Sequence, residues 1–596
     1  MRRSRALLAL ALALLALAAC ARPVSPQGAR PFALTIAHVN DTHSNLEPAE
    51  TRLTLAGEKV TVRLGGFARL KSALDEVRAE ARADGSRFLA LHAGDAVQGT
   101  LFFNVFQGRA DFDGLNALGL DAMTLGNHEF DRGTALTAEL MGRARFPVVS
   151  ANIDDAREPA LAGRIKPYAI RDLDGVRVGL VGVTTPGAPS ISRTGALRFH
   201  KAAPAVARAV RELHAQGVRV IIVLSHLGYA EDLALARAVP GLSVIVGGHS
   251  HSLLGDPARL KPLGLSPEGP YPTVARGPGG TRVLVVQAWR WGMQLGVLRV
   301  DFDADGDVAG FTARPRLLAG GGFRRGGADV DPGSPEYARL NAALLATGAA
   351  RQTSEDPAVL ALLAPYAARL DGFRNADIGA AAAADLVRGT RTDPGPIIAE
   401  AFLAKVPAAQ AALVMPGNVR QDVFQGRITR AMVLGVLPFN DTLATVDLSG
   451  AQLKAVLEDA VEHRLKAKTA AGAPRHTTLF YAAGLTCRVD VQAARGVRVH
   501  DLRVRGAGGE LAPVDPAAVY RLVTSDFLAG GGDGMTTLKA AQGPREDTGL
   551  LDSDALAEHL QRLGVVRPPA EPNVVIERGR PISLLRRPAP NLARAA

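Results

Sequence analysis

Five short apolar runs in the first half of the chain each end in residues that bind metal ions in proteins. The clusters that follow them are Asn40-Asp41-Thr42-His43, Gly94-Asp95, Gly126-Asn127-His128-Glu129, Ser225-His226 and Gly248-His249-Ser250-His251. In open α/β sheets the carboxyl ends of the strands meet at one edge, so residues far apart in sequence lie together there. The pattern therefore predicts a sheet whose carboxyl edge carries a polar, ligand-rich site.

The apolar runs alternate with longer amphipathic stretches, which is typical of a layered α/β domain. The predicted strands are Leu34 to Val39, Phe88 to His92, Ala122 to Leu125, Val148 to Ala151, Val176 to Val183, Val218 to Leu224 and Val244 to Val246. The predicted helices include Gly66 to Ala83, Thr134 to Arg145, Ala203 to Gln216 and Glu231 to Ala238. The strands are nearly continuous apolar runs, as expected for sheets covered on both faces.

The length of 596 residues exceeds what a single core sustains, so we expect two domains. The first is predicted to span residues 32–318. A Gly/Arg-rich stretch from Gly320 to Gly327 then breaks the pattern and indicates a helical linker with a hinge over residues 319–372. Residues 373–577 are expected to form the second domain. Its predicted elements include helices at Ile397 to Lys405 and Gly450 to Arg464 and a strand at Leu443 to Leu448.

The ligand types in the clusters limit which metal ions they suit. Asp, Asn and His offer oxygen and imidazole nitrogen, which favour Mn²⁺, Zn²⁺ or Mg²⁺ over ions that seek thiolates. The two cysteines, Cys20 and Cys487, lie outside the clusters. Each cluster alone has an ordinary structural explanation, such as an Asn-containing turn that caps the next helix. Five clusters at successive strand ends favour a metal site.

The clusters resemble those of the calcineurin-like metallophosphoesterases. The run Ile36-Ala37-His38-Val39-Asn40-Asp41-Thr42-His43-Ser44-Asn45-Leu46-Glu47-Pro48, with Gly94-Asp95 and Leu125-Gly126-Asn127-His128-Glu129-Phe130-Asp131, is similar to the bacterial 5′-nucleotidase/UDP-sugar hydrolase family. The resemblance extends from about Ala33 to Asn573. It implies an N-terminal four-layer α/β/β/α metallophosphoesterase domain and a C-terminal α/β nucleotide-binding domain that rotates to carry substrate to the metals.

The resemblance also assigns roles to the clustered residues. One divalent ion is expected on Asp41, His43 and His251 and a second on Asn127, His226 and His249, with Asp95 bridging them. Two such ions activate a water molecule and clamp the phosphoryl transition state. His128 is expected to stabilise developing charge or to protonate the leaving oxygen, and Asp131, three residues on, to orient its ring. The alternative for Asp131 is an ordinary helix N-cap.

Five further positions match substrate-binding residues of the family. These are Arg388 and Arg420 for the phosphate, Phe439 and Phe527 for a base sandwiched between them, and Asp533 for the ribose. For Phe439 a place in the core is nearly as well supported. Met415 stands where the family commonly has an asparagine that contacts the base, and Asn418 cannot be assumed to replace it. The preferred base is therefore left open.

The predicted function is hydrolysis of nucleoside 5′-monophosphates to nucleoside and phosphate. A 2′,3′-cyclic nucleotide phosphodiesterase with 3′-nucleotidase activity and a UDP-sugar hydrolase are close alternatives on the same scaffold. A thiosulfohydrolase is more distant, since a sulfate-like substrate needs no base clamp such as Phe527 and Asp533. A nucleotide-binding lipoprotein without activity is a further alternative, although all seven candidate ligands are present.

The first 20 residues indicate export. A basic start precedes the uncharged run Ala6 to Ala19, which is too short for a mature membrane span. Leu17-Ala18-Ala19-Cys20 resembles a lipobox, so residues 1–20 are predicted to be a signal peptide with a lipidation site and residues 21–31 a tether. The enzyme is expected to be anchored by lipid at a membrane and to face the periplasm or the cell exterior.

The net charge of +11 does not indicate nucleic-acid binding. Three arginines of the signal peptide and five in the tail account for eight of these charges, which leaves +3 for residues 21–577. Residues 578–596 are predicted to be a disordered basic tail. We expect no nucleic-acid partner, no obligate protein partner and no intramolecular disulfide.

Overall fold

The computed structural model describes residues 31–577 except 191, 326–327, 375, 440, 467–477, 507–508 and 570–572. The predicted signal peptide, residues 21–30 of the tether and the basic tail lie outside the described residues. Within the described part of the chain, no helix combines the length and the apolar character needed to cross a membrane.

The N-terminal part contains nineteen described strands and nine described α-helices. The strands are β1 Phe32–Val39, β2 Ala49–Leu55, β3 Glu58–Leu64, β4 Arg87–His92, β5 Ala122–Thr124, β6 Val148–Val149, β7 Ile153–Asp154, β8 Tyr168–Leu173, β9 Val176–Thr184, β10 Arg198–Phe199, β11 Val220–His226, β12 Val244–Gly247, β13 Thr273–Arg276, β14 Arg282–Val286, β15 Gln294–Phe302, β16 Val308–Ala313, β17 Arg316–Arg325, β18 Ala328–Asp329 and β19 Ala350–Gln352. The helices are α1 Phe67–Ala83, α2 Leu101–Phe106, α3 Arg109–Leu118, α4 Thr134–Arg143, α5 Ala202–Ala215, α6 Tyr229–Ala238, α7 Pro257–Leu260, α8 Pro335–Ala346 and α9 Pro357–Arg374.

Two large sheets pack face to face in this part of the chain. The first runs β2-β3-β17-β15-β1-β4-β5-β6, and β1, β4, β5 and β6 are parallel. The second runs β13-β14-β12-β11-β9-β8, with β14, β12, β11 and β9 parallel. Buried side chains from both sheets, including Leu34, Leu89, Leu180 and Ile222, fill the space between them. The carboxyl ends of the parallel strands of both sheets therefore lie along a common edge.

Helices cover the outer faces of both sheets. Phe67 of α1 and Phe112 of α3 belong to the core on the outside of the first sheet. Val206 of α5 and Leu233 of α6 belong to the core on the outside of the second sheet. The order of layers is helix, sheet, sheet, helix, so the predicted four-layer α/β/β/α domain is confirmed.

The observed strand β11 differs in its bounds from the predicted one. Val218 N–H donates a hydrogen bond of 3.0 Å to the carbonyl of Leu213, near the end of α5. This bond belongs to the C-terminal cap of the helix, so Val218 is not yet part of the strand. The strand therefore begins at Val220 and ends on His226 itself.

The Gly/Arg-rich stretch lies in strand β17 as far as Arg325, and this corrects the prediction that a linker begins there. β17 pairs with β3, with an irregularity between Ala319 and Phe323, and also with β19. A Cβ at Gly320 would lie 1.8 Å from the guanidinium of Arg69, and Gly321 has φ +80°. Glycine is therefore needed at a bulge in the sheet and where the Arg69 side chain approaches the backbone. The sequence had suggested a flexible linker instead.

The two helices of the predicted linker pack on the N-terminal domain. Leu340 and Leu344 of α8 share a core with Phe323. Leu363 and Leu370 of α9 belong to the core that covers the first sheet. Residues up to the end of α9 are thus attached to the first domain.

The C-terminal part is a second layered α/β unit. Its strands are β20 Asp377–Ala382, β21 Ala411–Val414, β22 Gly426–Thr429, β23 Thr442–Ser449, β24 Tyr481–Ala483, β25 Leu485–Asp490, β26 Val499–Arg505, β27 Leu511–Pro513, β28 Val519–Ser525, β29 Arg545–Leu551, β30 Val565–Val566 and β31 Val574–Glu577. Its helices are α10 Gly395–Lys405, α11 Arg430–Val436, α12 Gly450–Lys466, α13 Asp526–Ala529, α14 Thr536–Ala540 and α15 Asp552–Leu563. The central sheet runs β24-β21-β28-β23-β29. Smaller sheets run β22-β20-β30 and β27-β26-β25-β31.

Helices cover both faces of this central sheet. Phe402 of α10 and Leu556 of α15 lie in the core on one face. Leu453 and Leu457 of α12 lie in the core on the other face, together with the buried Cys487. The C-terminal α/β domain predicted from the sequence is confirmed.

The close contact of the two sheets near β6 gives a stability prediction. A Cβ at Gly182 of β9 would lie 2.1 Å from the carbonyl oxygen of Val149, which is rigid backbone. Gly182→Ala should lower the free energy of unfolding by about 1–3 kcal/mol, as expected for overpacking. Denaturant titration followed by circular dichroism measures this.

The matched control is Gly372→Ala in α9, where an added Cβ meets nothing within 4 Å. Alanine is the better helix former, so this change should leave stability equal or raise it slightly. Equal stability of the Gly182→Ala variant and the wild type would contradict the close approach of the sheets.

Candidate active site

The predicted ligands lie where the chain turns sharply away from the strand ends. Several of them adopt left-handed backbone conformations that are uncommon outside glycine. The φ values are 50° at Asp41, 47° at His43, 55° at Asp95, 70° at His249 and 52° at His251. Such conformations persist where surrounding contacts hold them, and they cluster at functional sites.

Hydrogen bonds tie the ligand-bearing loops to one another. Asp41 N–H donates to the carbonyl of Gly94 at 3.0 Å, and His43 N–H donates to the carbonyl of Asp95 at 3.1 Å. His249 N–H donates to the carboxylate of Asp41 at 3.0 Å. The loops after β1, β4 and β12 therefore form one connected rim.

The first group of candidate ligands is Asp41, His43 and His251. Their ligand atoms all lie within 4.8 Å of one another. His43 Nδ1 lies 3.0 Å from the carbonyl of Gln98, which makes Nδ1 the donor and leaves a lone pair on Nε2. That Nε2 lies 3.0 Å from His251 Nε2. Two imidazole nitrogens and a carboxylate that face one point suit a cation.

The second group is Asp95, His226 and His249, whose ligand atoms also lie within 4.8 Å of one another. His226 Nδ1 donates to the carbonyl of Ala93 at 2.7 Å, which directs the other nitrogen at Asp95 Oδ2, 3.0 Å away. The same Oδ2 lies 3.8 Å from His43 Nε2. Asp95 therefore faces both groups.

The sequence predicted Asn127 as a further ligand beside the second group. Its Oδ1 is buried and has no hydrogen-bond partner among the described residues. Leaving a buried amide oxygen unpaired is costly, unless a ligand accepts its lone pairs. The donor set of carboxylates, imidazoles and an amide oxygen fits divalent metal ions, and His43 and His226 have the backbone partners that typically fix metal-binding tautomers.

His128 and Asp131 form a hydrogen-bonded pair beside the metal groups. His128 Nδ1 lies 2.6 Å from Asp131 Oδ2, in a short 3-10 turn that follows β5. Burial lowers the pKa of His128, whereas the carboxylates of Asp131 and Asp95 raise it, and the net pKa lies above the ordinary histidine value. His128 Nε2 lies 4.0 Å from Asp95 Oδ2, so its free edge points toward the metal groups.

The carboxylate of Glu129 supports this arrangement from behind. Its oxygens accept hydrogen bonds from the N–H groups of Asp95 at 3.1 Å, Ala96 at 2.7 Å and Gly126 at 2.6 Å. The sequence places Glu129 within a cluster but does not reveal this role, because two of its partners lie more than 30 residues away.

A cavity of about 820 Å³ lies between the two domains, next to the two groups of candidate metal ligands. All five predicted substrate residues line it, together with His128, Asp131 and the candidate ligands Asp95, Asn127, His249 and His251. The predicted substrate residues, the His128–Asp131 pair and four of the seven candidate ligands therefore lie around one cavity.

Phe439 and Arg420 reach the His128–Asp131 pair from the C-terminal domain. The Phe439 ring stacks on His128, with centroids 5.9 Å apart and an angle of 23°. The Arg420 guanidinium lies 5.6 Å from the Phe439 ring. Burial lowers the pKa of Arg420, and so does the neighbouring Arg388. Phe439 is half-buried and lines the cavity, so it does not have the place in the core that the alternative assigned to it.

The other substrate residues occupy the same domain. Arg388 Nε donates to Asp422 Oδ1 at 3.1 Å. The Phe527 ring lies against Gly532, where a Cβ would come within 2.4 Å of ring carbon atoms, so glycine is needed there. Asp533 lies 3.8 Å from His463, and burial raises the pKa of its carboxyl while His463 opposes the rise.

Met415 is fully buried in the core behind the central sheet. Asn418, three residues later, lines the cavity from a 3-10 turn and has a buried Oδ1 without a partner among the described residues. The departure of this chain from the family's asparagine therefore leaves an amide in the cavity at a different position.

Several cavity residues were not identified from the sequence. They include Arg132, Arg193, Arg290, Asp441 and His463. Arginines and histidines of this kind carry no local pattern that distinguishes them from surface residues. Arg193 also lies 3.8 Å from Asp526 of the other domain, a contact visible only in the folded chain.

Comparisons with known proteins agree with this geometry. A family model for calcineurin-like phosphoesterases matches residues 34–253, and one for the 5′-nucleotidase C-terminal domain matches residues 375–540. A probable 5′-nucleotidase of Treponema pallidum (strain Nichols) is 34% identical over 94% of this chain and 97% of its own. The crystal structure of a 5′-nucleotidase precursor from Thermus thermophilus is 39% identical, covers 92% of this chain and 100% of its own, and has a TM-score of 0.79.

A sulfate thiohydrolase of Thermus thermophilus covers 92% of this chain and 98% of its own at 20% identity, with a TM-score of 0.68. That likeness shows the fold alone.

The two matched domains and the ligand groups define a metal-dependent phosphoester hydrolase. The chain belongs to the 5′-nucleotidase family. The resemblance found in the sequence is confirmed, and with it the expectation of nucleotide hydrolysis.

The position of Glu129 gives a prediction about metal binding. Glu129→Gln places an amide N–H₂ against backbone N–H groups that now donate to a carboxylate, so the loop that carries Asp95 should lose its geometry. Metal affinity should fall about 10- to 100-fold, as for other residues that orient ligands. Calorimetric titration with Mn²⁺ measures this.

Glu139→Gln is the control, since Glu139 lies on the surface and pairs with Arg109. Its Mn²⁺ affinity should equal that of the wild type. Equal affinity in the Glu129→Gln variant would show that Glu129 does not position the site.

Proposed function

We propose that the enzyme hydrolyses nucleoside 5′-monophosphates to nucleoside and phosphate with the help of two divalent metal ions. The observation that carries this proposal is the cavity between the domains, which is lined by candidate ligands of one domain and by two phenylalanines, two arginines and an aspartate of the other. Membership of the 5′-nucleotidase family supports it.

The ions would be held by the residues that converge at the rim. We assign Asp41, His43 and His251 to one ion and Asn127, His226 and His249 to the other, with Asp95 shared because its Oδ2 faces both groups. When bound, such ions lower the pKa of the attacking water and stabilise the phosphoryl group in transfer. Mn²⁺, Zn²⁺ and Mg²⁺ all suit these donors.

His128 would act on the leaving oxygen of the nucleoside. Its Nδ1–H donates to Asp131, which fixes the ring and leaves Nε2 on the side of the metal groups. A proton held at Nε2 stabilises negative charge on that oxygen as the bond to phosphorus breaks. Asp131 raises the pKa of His128 against the effect of burial, which keeps the proton available.

The C-terminal domain would select the nucleotide. We assign Arg388 and Arg420 to the phosphate, since one guanidinium can donate two parallel hydrogen bonds to phosphate oxygens. Phe527 and Phe439 would enclose the base and Asp533 would accept bonds from the ribose hydroxyls. Stacking tolerates every base, so we expect a broad base preference.

Movement of the C-terminal domain about a hinge is part of this proposal. Because β17, α8 and α9 pack on the N-terminal domain, we place the hinge on the C-terminal side of α9. The Phe439 ring now lies on His128, and rotation would open the space between them.

We further propose that the enzyme is exported and anchored by lipid at Cys20. The basic start, the apolar run to Ala19 and the tetrapeptide Leu17-Ala18-Ala19-Cys20 support this assignment.

The first test is hydrolysis by the Mn²⁺-loaded enzyme of AMP, 3′-AMP, 2′,3′-cyclic AMP, UDP-glucose and a thiosulfate-type substrate. Phosphate is measured for the monophosphates, sulfate for the last substrate, and the other products are identified by chromatography. AMP should be hydrolysed best. His128→Ala should lower kcat for AMP by roughly 10²- to 10⁴-fold with metal content unchanged. Asp95→Ala should lose bound metal as well. Absence of phosphate release from every nucleotide would refute the proposal.

The second test separates base recognition from phosphate chemistry. Phe527→Ala should raise KM for AMP by roughly 5- to 100-fold, because stacking on one base contributes about 1–3 kcal/mol. KM for ribose 5-phosphate, which lacks a base, should not change. An equal rise for both substrates would show that Phe527 supports the fold of the Gly-rich segment and not the base.

A further inference from the structure

The loop after β14 carries both tryptophans of the chain, on either side of Arg290. Trp289 and Trp291 have φ values of 55° and 58°, in the left-handed region that bulky residues rarely adopt. Strained backbone of this kind is held in place by its surroundings and is a marker of functional sites.

Backbone hydrogen bonds connect this loop to the loops that carry the candidate metal ligands. Trp291 N–H donates to the carbonyl of Asp41 at 2.7 Å. The Asn40 side chain donates to the carbonyl of Trp289 at 2.7 Å, and Trp289 N–H donates to the carbonyl of Ser252 at 3.2 Å. Arg290 is therefore fixed relative to the loops that carry Asp41 and His251.

The Arg290 guanidinium packs against the indoles and reaches the cavity. Its central carbon lies 4.1 Å from the Trp291 ring and 5.8 Å from the Trp289 ring. It lines the same cavity as Arg388 and Arg420, which belong to the other domain. Its Nε is buried and has no hydrogen-bond partner among the described residues.

Two other arginines lie near Arg290 in the cavity. Burial lowers its pKa to about 9, and the neighbouring Arg388 and Arg420 act in the same direction. Asp422 opposes them, but it already accepts hydrogen bonds from Arg388 through both the backbone N–H and Nε. Arg290 and Arg388 thus share the carboxylate of Asp422, while Arg420 lies near the active-site carboxylates of Asp95 and Asp131. Three guanidinium groups around one cavity favour an anionic ligand.

We propose that Arg290 binds the phosphate group of the substrate from the metal-bearing domain, opposite Arg388 and Arg420. This inference rests on the proposed function and adds to it a residue that determines affinity for the phosphate. The indole rings hold the guanidinium plane in a fixed orientation, so that its paired N–H groups meet phosphate oxygens with little loss of side-chain freedom. Because Arg290 and the C-terminal arginines lie on different domains, bound phosphate links the domains.

The experiment measures binding to the full-length, Mn²⁺-loaded protein by calorimetry, with inorganic phosphate and adenosine as separate probes. Arg290→Gln should weaken phosphate binding about 10- to 100-fold, the loss expected for charge-assisted hydrogen bonds. Adenosine has no phosphate, so its affinity should stay within about twofold of the wild type. Arg290→Lys should weaken phosphate binding too, since an ammonium cannot pair its donors as a guanidinium does.

Arg259→Gln, a change at an exposed arginine outside the cavity, is the matched control and should bind both probes like the wild type. Unchanged phosphate affinity in Arg290→Gln would overturn the proposal. Equal weakening of phosphate and adenosine would also overturn it, because it would assign Arg290 to the support of the fold.

Failure of the proposed function has a different signature. In that case the wild type would bind phosphate but neither bind adenosine nor hydrolyse AMP, and the comparison of Arg290→Gln with the wild type on phosphate would still decide the role of Arg290.

Discussion

The arrangement of the active site depends on the shared carboxyl edge of two packed sheets. The bond from Asp41 N–H to the carbonyl of Gly94 joins two strand ends of the first sheet, and the bond from His226 to the carbonyl of Ala93 joins the second sheet to the same loop. Asp95 follows directly and faces both ligand groups. This shared edge is what brings together ligands more than 200 residues apart in the chain, such as Asp41 and His249.

Recognition and chemistry are divided between the domains. The N-terminal domain holds the candidate ligands and the His128–Asp131 pair, whereas the C-terminal domain contributes Phe439, Phe527, Arg388 and Arg420 to the cavity. Arg290 adds a guanidinium from the N-terminal domain, held against the Trp291 ring. A substrate that fills the cavity therefore contacts both domains.

The sequence predicted those features that follow from local pattern. Apolar runs located the strands near the ligands, and the spacing of His128 and Asp131 anticipated their hydrogen bond. Gly320 and Gly321 misled, because glycine marks a bulge in a sheet as readily as a flexible linker. Glu129, Arg290 and the burial of Met415 depend on partners distant in the chain, so no local signal could reveal them. The family resemblance supplied the substrate residues, which pattern alone does not distinguish from core or surface.

The central claim is that two metal ions share Asp95 at this edge. Anomalous diffraction from crystals grown with Mn²⁺ tests it most directly. The account predicts two peaks about 3.5–4 Å apart, one beside Asp41, His43 and His251 and the other beside Asn127, His226 and His249, with the carboxylate of Asp95 between them. A single peak, or two peaks that do not share Asp95, would contradict it.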